Sequence, residues 1–207
     1  LDGIAEAGFT FAGLMTAKSG TLITPATPTE PVVTMAAEAK SRGLRIASTW
    51  GGNFLTKPSV AEGVTGLRRL IDHCALCACP GLLIGGTSKP ELVADYYKAV
   101  AECCDYAAAK GVGLSVKPHG GENSTGAQCR QLIQRVGHPN FGLWYDPGNI
   151  FYYSEGKLDL VDAAATVDGL VRGRSVKDFL PPRNVNITPG TGRVNFTTVL
   201  AKLRQGG

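Results

Sequence analysis

The chain has 207 residues, of which 43% are hydrophobic and 18% charged, and its formal net charge is +4. This composition predicts one folded domain with a real apolar core, and it excludes a disordered or fibrous chain. Because the Lys and Arg residues are scattered and no apolar run approaches the roughly 20 residues of a membrane span, neither a nucleic acid nor a membrane is expected as a partner.

Short apolar runs alternate with stretches of helical periodicity along the whole chain. The apolar runs predict strands at residues 10–15, 44–49, 82–84, 112–116, 141–145 and 173–176. The periodic stretches predict helices at residues 1–7, 29–42, 59–77, 90–110, 126–136, 160–170 and 197–203. A loop rich in Gly, Thr and Pro is predicted over residues 16–28, between the first of these strands and the helix that follows it.

Regular alternation of strands and helices indicates a parallel sheet of the α/β class. Both a closed (β/α)8 barrel and an open doubly wound sheet fit this alternation. No Gly-x-Gly-x-x-Gly follows the first strand, so a dinucleotide-binding sheet has no positive support. Polar residues follow nearly every strand, which favours the barrel, because a barrel builds its active site from many strand ends.

The number of strands falls short of a complete barrel. Six strands are predicted, whereas a (β/α)8 TIM barrel has eight and spans about 250 residues. We therefore expect residues 1–207 to form a single TIM-barrel domain in which the first and last strands are missing from this sequence. A ligand supplied by the eighth strand would be missing as well.

Six cysteines are present, but a chain of this size and apolar content does not need disulfide bonds. We expect reduced thiols and a cytoplasmic location. The run 73–79 contains a Cys-x-x-Cys spacing without the second half of a zinc site, so Cys74 and Cys77 are interpreted as small buried residues of a helix.

Ionisable residues follow three successive predicted strands. Lys117 and His119 follow the strand at 112–116, Asp146 follows the strand at 141–145, and Lys177 and Asp178 follow the strand at 173–176. The loops at the carboxyl ends of barrel strands build the active site, and buried charges are costly unless they are paired. The pattern therefore predicts an enzyme site at this rim.

At these residues the chain resembles the xylose isomerase-like TIM barrels, the superfamily of sugar-phosphate isomerases and epimerases and of endonuclease IV-like proteins. The matching segments are residues 114–121, 144–149, 175–178 and 189–196. The resemblance covers essentially the whole chain. It is moderately specific for the superfamily and poorly specific for the substrate.

The resemblance implies a divalent cation, such as Mn, Zn, Co or Mg, held by a Glu, an Asp, a His and a second Glu. Asp146 matches the Asp, but Lys117 stands at the position of the first Glu and Ser175 at that of the His. The second Glu would lie beyond Gly207. We therefore expect a cation held by Asp146 and His119. Of the four ligands that the resemblance implies, only the Asp matches by position, at Asp146.

Three of the rim residues have both a functional and a structural interpretation. His119 is expected to bind the metal or to act as a general base, or else to bond to a loop carbonyl. Asp146 is expected to be a metal ligand or base, or else the first residue of an Asx turn. Lys117 is expected to stabilise an enediolate or to bind an anionic group of the substrate, or else to form an ion pair with Asp146 or Glu122. A Schiff-base role for Lys117 is also open, and it would need a lowered pKa.

The remaining site predictions concern the substrate. Lys177 and Asp178 point to opposite faces, so one is expected to contact the substrate and the other to brace a neighbouring loop. Asn149 and Asp178 are predicted substrate-binding residues. Trp50, at a strand end, is a further candidate, whereas Trp144 lies in mid-strand and is interpreted as core.

The sequence thus predicts an isomerase or epimerase that moves a proton beside a carbonyl of a sugar or polyol, with metal assistance. A lyase or dehydratase acting on a keto-sugar or inosose begins with the same proton abstraction and stays open, as does a non-catalytic sugar-binding barrel with a decayed metal site. The expected partner is a small carbohydrate, and association into a homo-oligomer is left open. An abasic-site endonuclease fits poorly, because its multi-metal site is rich in His and this chain has three.

Overall fold

The computed structural model describes residues 1–17 and 20–207, and the predicted loop at 16–28 therefore includes two residues, Lys18 and Ser19, that lie outside the described part. The chain divides into two compact units. The first unit contains residues 1–84 and 94–114, and the second contains residues 85–93 and 115–207. Among the described residues, no helix is both long and apolar enough to cross a membrane.

The first unit has parallel strands separated by helices, as the sequence predicts. Its elements, in chain order, are α1 (Asp2–Glu6), β1 (Phe11–Leu14), β2 (Thr16–Ala17), β3 (Gly20–Thr21), α2 (Thr29–Ser41), β4 (Arg45–Trp50), α3 (Val60–Leu76) and β5 (Gly81–Ile84). Strand β4 lies between β1 and β5 and is parallel to both. The short antiparallel pair β2 and β3 falls inside the predicted loop.

Helix α3 shows why this unit packs closely. Its N-cap, Ser59, accepts a hydrogen bond from the Glu62 backbone N–H, which satisfies one of the free donors of the first turn. A Cβ on Gly66 would lie 2.7 Å from the carbonyl oxygen of Phe54, so only glycine permits this approach. All six cysteines are free thiols and buried, which confirms the interpretation of Cys74 as a small core residue.

Helix α4 (Pro90–Ala109) and strand β6 (Gly113–Val116) contribute residues to both units. The second unit continues with α5 (Gly126–Val136), β7 (Phe141–Tyr145), α6 (Pro147–Tyr153), α7 (Leu160–Ala165), β8 (Val171–Arg174) and α8 (Phe196–Gln205). Strand β7 is the neighbour of both β6 and β8, and its pairing with β8 is parallel. This order brings the ends of three successive strands side by side.

Local sequence explains the ends of helix α5. Thr125 and Gln128 form a reciprocal capping box at its start, and Gly137 takes a left-handed conformation, with φ of 65°, at its end. These are signals that short stretches of sequence carry by themselves, and the predicted bounds 126–136 agree with the observed ones.

Three elements of the second unit differ from the sequence prediction. Strand β8 ends at Arg174, so Ser175 and Val176 belong to the following loop rather than to the strand. Helix α7 ends at Ala165 instead of continuing to residue 170. Helix α6 was not predicted, because its seven residues are too few to show a helical period and residues 147–151 are all buried.

Candidate functional site

The site is centred on a buried ion pair between the ends of two neighbouring strands. Lys117 follows β6 and Asp146 follows β7, and Lys117 Nζ lies 2.8 Å from Asp146 Oδ2. The lysine side chain is 8% exposed and the aspartate side chain is fully buried. This is one of the two ion pairs that the sequence left open for Lys117. The other candidate, Glu122, is exposed and faces Arg135 instead, at 3.9 Å.

The second oxygen of Asp146 has a structural task. Asp146 is the N-cap of α6, and its Oδ1 accepts a hydrogen bond from the Asn149 backbone N–H at 2.9 Å. Pro147 occupies the first helical position, where its missing N–H costs nothing. The two oxygens of Asp146 thus have different tasks. Oδ1 forms the local turn expected for this residue, and Oδ2 pairs with Lys117 in the site.

The side chain of Asn149 links the loops that follow two strands. Its Nδ2 donates to the carbonyl oxygen of Pro118 at 2.6 Å, and its Oδ1 accepts from Lys177 Nζ at 2.8 Å. Because the amide nitrogen is committed to a carbonyl, the amide oxygen must face the lysine. Asn149, predicted to bind substrate, is itself buried, and in this structure it orients Lys177.

Gly148 allows α6 to lie directly against the chain that follows β8. A Cβ on Gly148 would lie 2.8 Å from the carbonyl oxygen of Asp178 and 2.9 Å from Lys177 Cγ. Any larger residue would have to push this segment away. The glycine therefore sets the distance between Asn149 and Lys177.

Asp178 braces a loop. It is fully buried, and its two oxygens accept hydrogen bonds of 2.8–2.9 Å from four backbone N–H groups, those of Phe179, Gly190, Gly192 and Val194. Desolvation opposes its ionisation, but the four donors outweigh it and lower the pKa of Asp178 below its ordinary value. In this structure Asp178 thus braces a loop, the task expected of one member of the Lys177–Asp178 pair, and its predicted contact with substrate stays a prediction.

His119 stands at the open side of the site. Its backbone N–H donates to the carbonyl oxygen of Asn123, which closes a tight loop, and the residue is exposed to solvent. Partial desolvation of the ring, followed by the charges of Lys117 and Lys177, lowers the pKa of His119 below its usual 6.5, although Asp146 opposes this shift. The imidazole is therefore neutral at pH 7 and able to accept a proton.

Asn123 is a site residue that sequence reasoning missed. Its buried side chain donates to the carbonyl oxygens of Lys117, at 2.6 Å, and of Gly85, at 2.8 Å. Gly86, with φ of 71°, leaves room for the amide, since a Cβ there would lie 2.5 Å from Asn123 Oδ1. The Gly-rich loop at 85–88 thereby supports the His119 loop in this structure. No local sequence pattern marks Asn123, because both of its partners are backbone carbonyl oxygens, which any residue type supplies.

The two tryptophans differ in position. Trp144 Nε1 donates to Ser175 Oγ at 3.0 Å, and its ring lies directly against Gly173, which confirms a packing role in β7 and β8. Ser175, at the position where the resemblance expects a His ligand, thus accepts a hydrogen bond from Trp144. Trp50 is half-buried at the end of β4 in the first unit, and its contact with substrate stays a prediction.

The predicted divalent cation does not fit the residues present. Divalent cations take several carboxylate, carbonyl or imidazole ligands. In the part of the chain that the structure describes, no group of three or more His, Cys, Asp and Glu side chains is placed to hold one. Asp146 offers Oδ2 to the Lys117 ammonium, so a metal bound there would face a positive charge at ion-pair distance. The prediction of Asp146 and His119 as metal ligands thus gains no support from this geometry.

Comparison with known proteins agrees with the fold. A family model described as "Xylose isomerase-like TIM barrel" matches residues 1–207. No curated protein gives a significant match.

Three similar solved structures share this architecture. A xylose isomerase domain protein from Planctomyces limnophilus has a TM-score of 0.74 at 17% identity, over 100% of this chain and 81% of that one. D-allulose 3-epimerase from Methylomonas sp., in complex with D-allulose, has a TM-score of 0.74 at 21% identity, over 99% and 72%. The IOLI protein, whose structure carries a zinc atom, has a TM-score of 0.73 at 14% identity, over 99% and 78%. These identities show the fold alone, and they confirm the predicted TIM-barrel class.

Proposed function

Because the chain belongs to the xylose isomerase-like TIM barrel family, we propose that it is an enzyme that moves a proton beside the carbonyl of a sugar or polyol. The observation that carries this proposal is the grouping of a neutral, exposed His119 with the Asp146-paired ammonium group of Lys117 at the ends of neighbouring strands. A base together with a fixed positive charge is what an enediolate-forming reaction needs.

His119 is the proposed general base. Its lowered pKa keeps the ring unprotonated at pH 7, and its exposure leaves it accessible to a substrate. The ring takes the proton from the carbon beside the carbonyl and later returns it, to the opposite face of that carbon in an epimerase or to the neighbouring carbon in an isomerase. General base catalysis of this kind contributes about 10²–10⁴-fold to a rate.

Lys117 is proposed to stabilise the negative charge that forms on the carbonyl oxygen. Its ammonium is held at 2.8 Å by Asp146, so the positive charge is in place before the reaction begins. Charges that need no reorganisation during the reaction are the most effective at stabilising a transition state. Asp146 acts here as the group that positions Lys117, a role that requires no metal.

Solvent exchange tests the proposal directly. The protein is incubated in D₂O with keto-sugars, beginning with D-allulose, the sugar in complex with one similar enzyme, and with an inosose, and proton NMR follows the hydrogens beside the carbonyl. Loss of one such signal, absent with His119→Asn, supports the proposal. Binding of these ketones without any exchange would instead establish the sugar-binding barrel.

The same spectra separate the isomerase or epimerase from the lyase. Exchange accompanied by signals of a new sugar identifies the former. Exchange accompanied by a vinylic signal or by loss of a hydroxyl-bearing carbon identifies β-elimination, which begins with the same proton abstraction.

A further inference from the structure

The site contains two lysines in different chemical situations, and the difference decides which of them is a nucleophile. Lys117 Nζ is in contact with a buried carboxylate at 2.8 Å. The ammonium compensates the buried charge of Asp146, and an uncompensated charge in such a place is strongly destabilising. Lys117 is therefore suited to electrostatic stabilisation and unsuited to bond formation.

Lys177 is held by a neutral group instead. Its Nζ donates to the amide oxygen of Asn149 at 2.8 Å, and among the residues that the structure describes no carboxylate lies within ion-pair distance of it. An amide oxygen accepts a hydrogen bond from an ammonium and from a neutral amine alike. The contact therefore fixes the direction of the side chain without holding the proton on it.

The surroundings make the neutral form of Lys177 more accessible than that of an exposed lysine. Burial, aided by the positive charge of Lys117, lowers the pKa of Lys177 below its usual 10.5, and the opposing effect of Asp146 does not cancel the shift. A lysine beside another cation, in a partly desolvated position, is the environment in which amines act as nucleophiles towards carbonyl carbons.

We infer that Lys177 forms a covalent iminium with the carbonyl carbon of a keto-sugar, within the reaction proposed above for this site. The inference rests on the proposed substrate class, a ketone flanked by hydroxyl-bearing carbons. It assigns different tasks to the two lysines: Lys177 bonds to the carbonyl carbon, and Lys117 stabilises the negative charge that develops on the carbonyl oxygen while the carbinolamine forms.

The steps balance without an oxidant or reductant. The nitrogen lone pair of neutral Lys177 bonds to the carbonyl carbon, the C=O π electrons move to oxygen, and a proton passes from nitrogen to that oxygen to give a carbinolamine. With one proton from solvent, the carbon–oxygen bond breaks, water leaves and the iminium forms. His119 then removes a proton from the neighbouring carbon to give a neutral enamine, and it returns a proton to re-form the iminium. Hydrolysis with one water releases the sugar and the free amine and gives one proton back to solvent.

Reductive trapping tests the inference. The full-length protein is incubated with dihydroxyacetone, a minimal hydroxyketone, in the presence of cyanoborohydride, and the adduct is located by peptide mass spectrometry. We expect one reduced dihydroxyacetone adduct on the peptide containing Lys177, and competing D-allulose should replace it with a D-allulose adduct on the same lysine. Lys157→Arg serves as the matched control, because Lys157 is an exposed lysine outside the site, and it should leave trapping unchanged.

Lys177→Arg separates the covalent from the electrostatic role. Arginine keeps the positive charge and the ability to donate to Asn149, but it forms no iminium. We expect this variant to lose both trapping and D₂O exchange while its circular dichroism and its affinity for the ketone are retained. Exchange at the wild-type rate in Lys177→Arg would overturn the inference.

The two proposals fail in distinguishable ways. Exchange by the wild-type protein with no adduct at Lys177 overturns the iminium and leaves the proton-transfer function standing. Neither exchange nor adduct with any ketone overturns both. An adduct spread equally over exposed lysines, and unaffected by D-allulose, also overturns the inference, because it reports random amine reactivity.

Discussion

Lys117 Nζ lies 2.8 Å from Asp146 Oδ2, and the two side chains are 8% and 0% exposed. Each of these charges requires the other, since an unpaired charge in such a place is strongly destabilising. The ion pair therefore contributes to both folding stability and the proposed chemistry, because Lys117 is the group that we propose to stabilise an enediolate.

Lys117→Met should leave the Asp146 carboxylate buried and unpaired. We expect a loss of about 3 kcal/mol in the free energy of unfolding, measured by urea denaturation. Asp146→Asn keeps an oxygen for the cap of α6 but removes the charge, so Lys117→Met combined with Asp146→Asn should recover part of the loss. Strict additivity of the two single changes would show that the residues are not coupled.

His119→Asn should lower the rate of D₂O exchange by about 10²–10⁴-fold, since it removes the proposed base. Because the pKa of His119 is lowered, the active neutral form persists to lower pH, and the acidic limb of the wild-type rate profile should lie below pH 6.5. His138→Asn is the matched control: His138 Nδ1 accepts from the Asn140 backbone N–H, a role that an asparagine oxygen can take over. An unchanged acidic limb in His119→Asn would rule out this assignment.

Asp178→Asn should release the loop at 190–194. An amide has one acceptor oxygen for the four backbone donors, and hydrogen bonds to a charged group contribute more than neutral ones, so we expect a loss of at least about 2 kcal/mol in the free energy of unfolding at pH 7.

The pH dependence of that loss has a definite sign. The pKa of Asp178 is lower in the folded state, so its contribution is full above the unfolded value of about 3.9 and declines as the pH falls towards the folded value. The difference in unfolding free energy between wild type and Asp178→Asn should therefore narrow in acid. A constant difference across this range would contradict the bracing role.

Gly148→Ala should force α6 away from Lys177 and Asp178, because the new Cβ would lie 2.8–2.9 Å from their atoms. We expect a loss of about 1–3 kcal/mol in unfolding free energy, together with slower exchange, as the Asn149–Lys177 hydrogen bond lengthens. Gly3→Ala is a suitable control, since nothing lies within 4 Å of its Cβ position. Equal stability of the two variants would show that the contact at Gly148 is easily relieved.

Removal of metal should not change the rate of D₂O exchange. The geometry around Asp146 pairs its Oδ2 with an ammonium, so we expect wild-type exchange after dialysis against EDTA and less than one Mn, Zn, Co or Mg per chain by elemental analysis. A stoichiometric metal that is lost together with activity, and lost in Asp146→Asn, would restore the metal-assisted mechanism.

The sequence alone predicted the alternation of strands and helices, the TIM-barrel class and the rim at which Lys117, His119, Asp146 and Lys177 lie. Apolar runs, capping residues and glycine stops act over a few neighbouring residues, so their meaning can be read without the fold. Helix α6 could not be predicted from the sequence, because it is short and buried. It begins directly after Asp146, which is its N-cap, in a segment that the sequence indicates is a loop.

Tertiary structure decided which residues are partners. Lys117 had Asp146 and Glu122 as candidates, and only the placement of neighbouring strand ends selected Asp146. Three of the four backbone N–H groups that donate to Asp178 belong to residues 12 to 16 positions away. Asn149 likewise lies between Pro118 and Lys177, which are distant from it in sequence. These contacts join residues up to 31 positions apart in the chain, and no local sequence pattern encodes them. Electrostatic interactions depend steeply on distance, so the few ångströms between side chains of neighbouring strands determine the chemistry of each group.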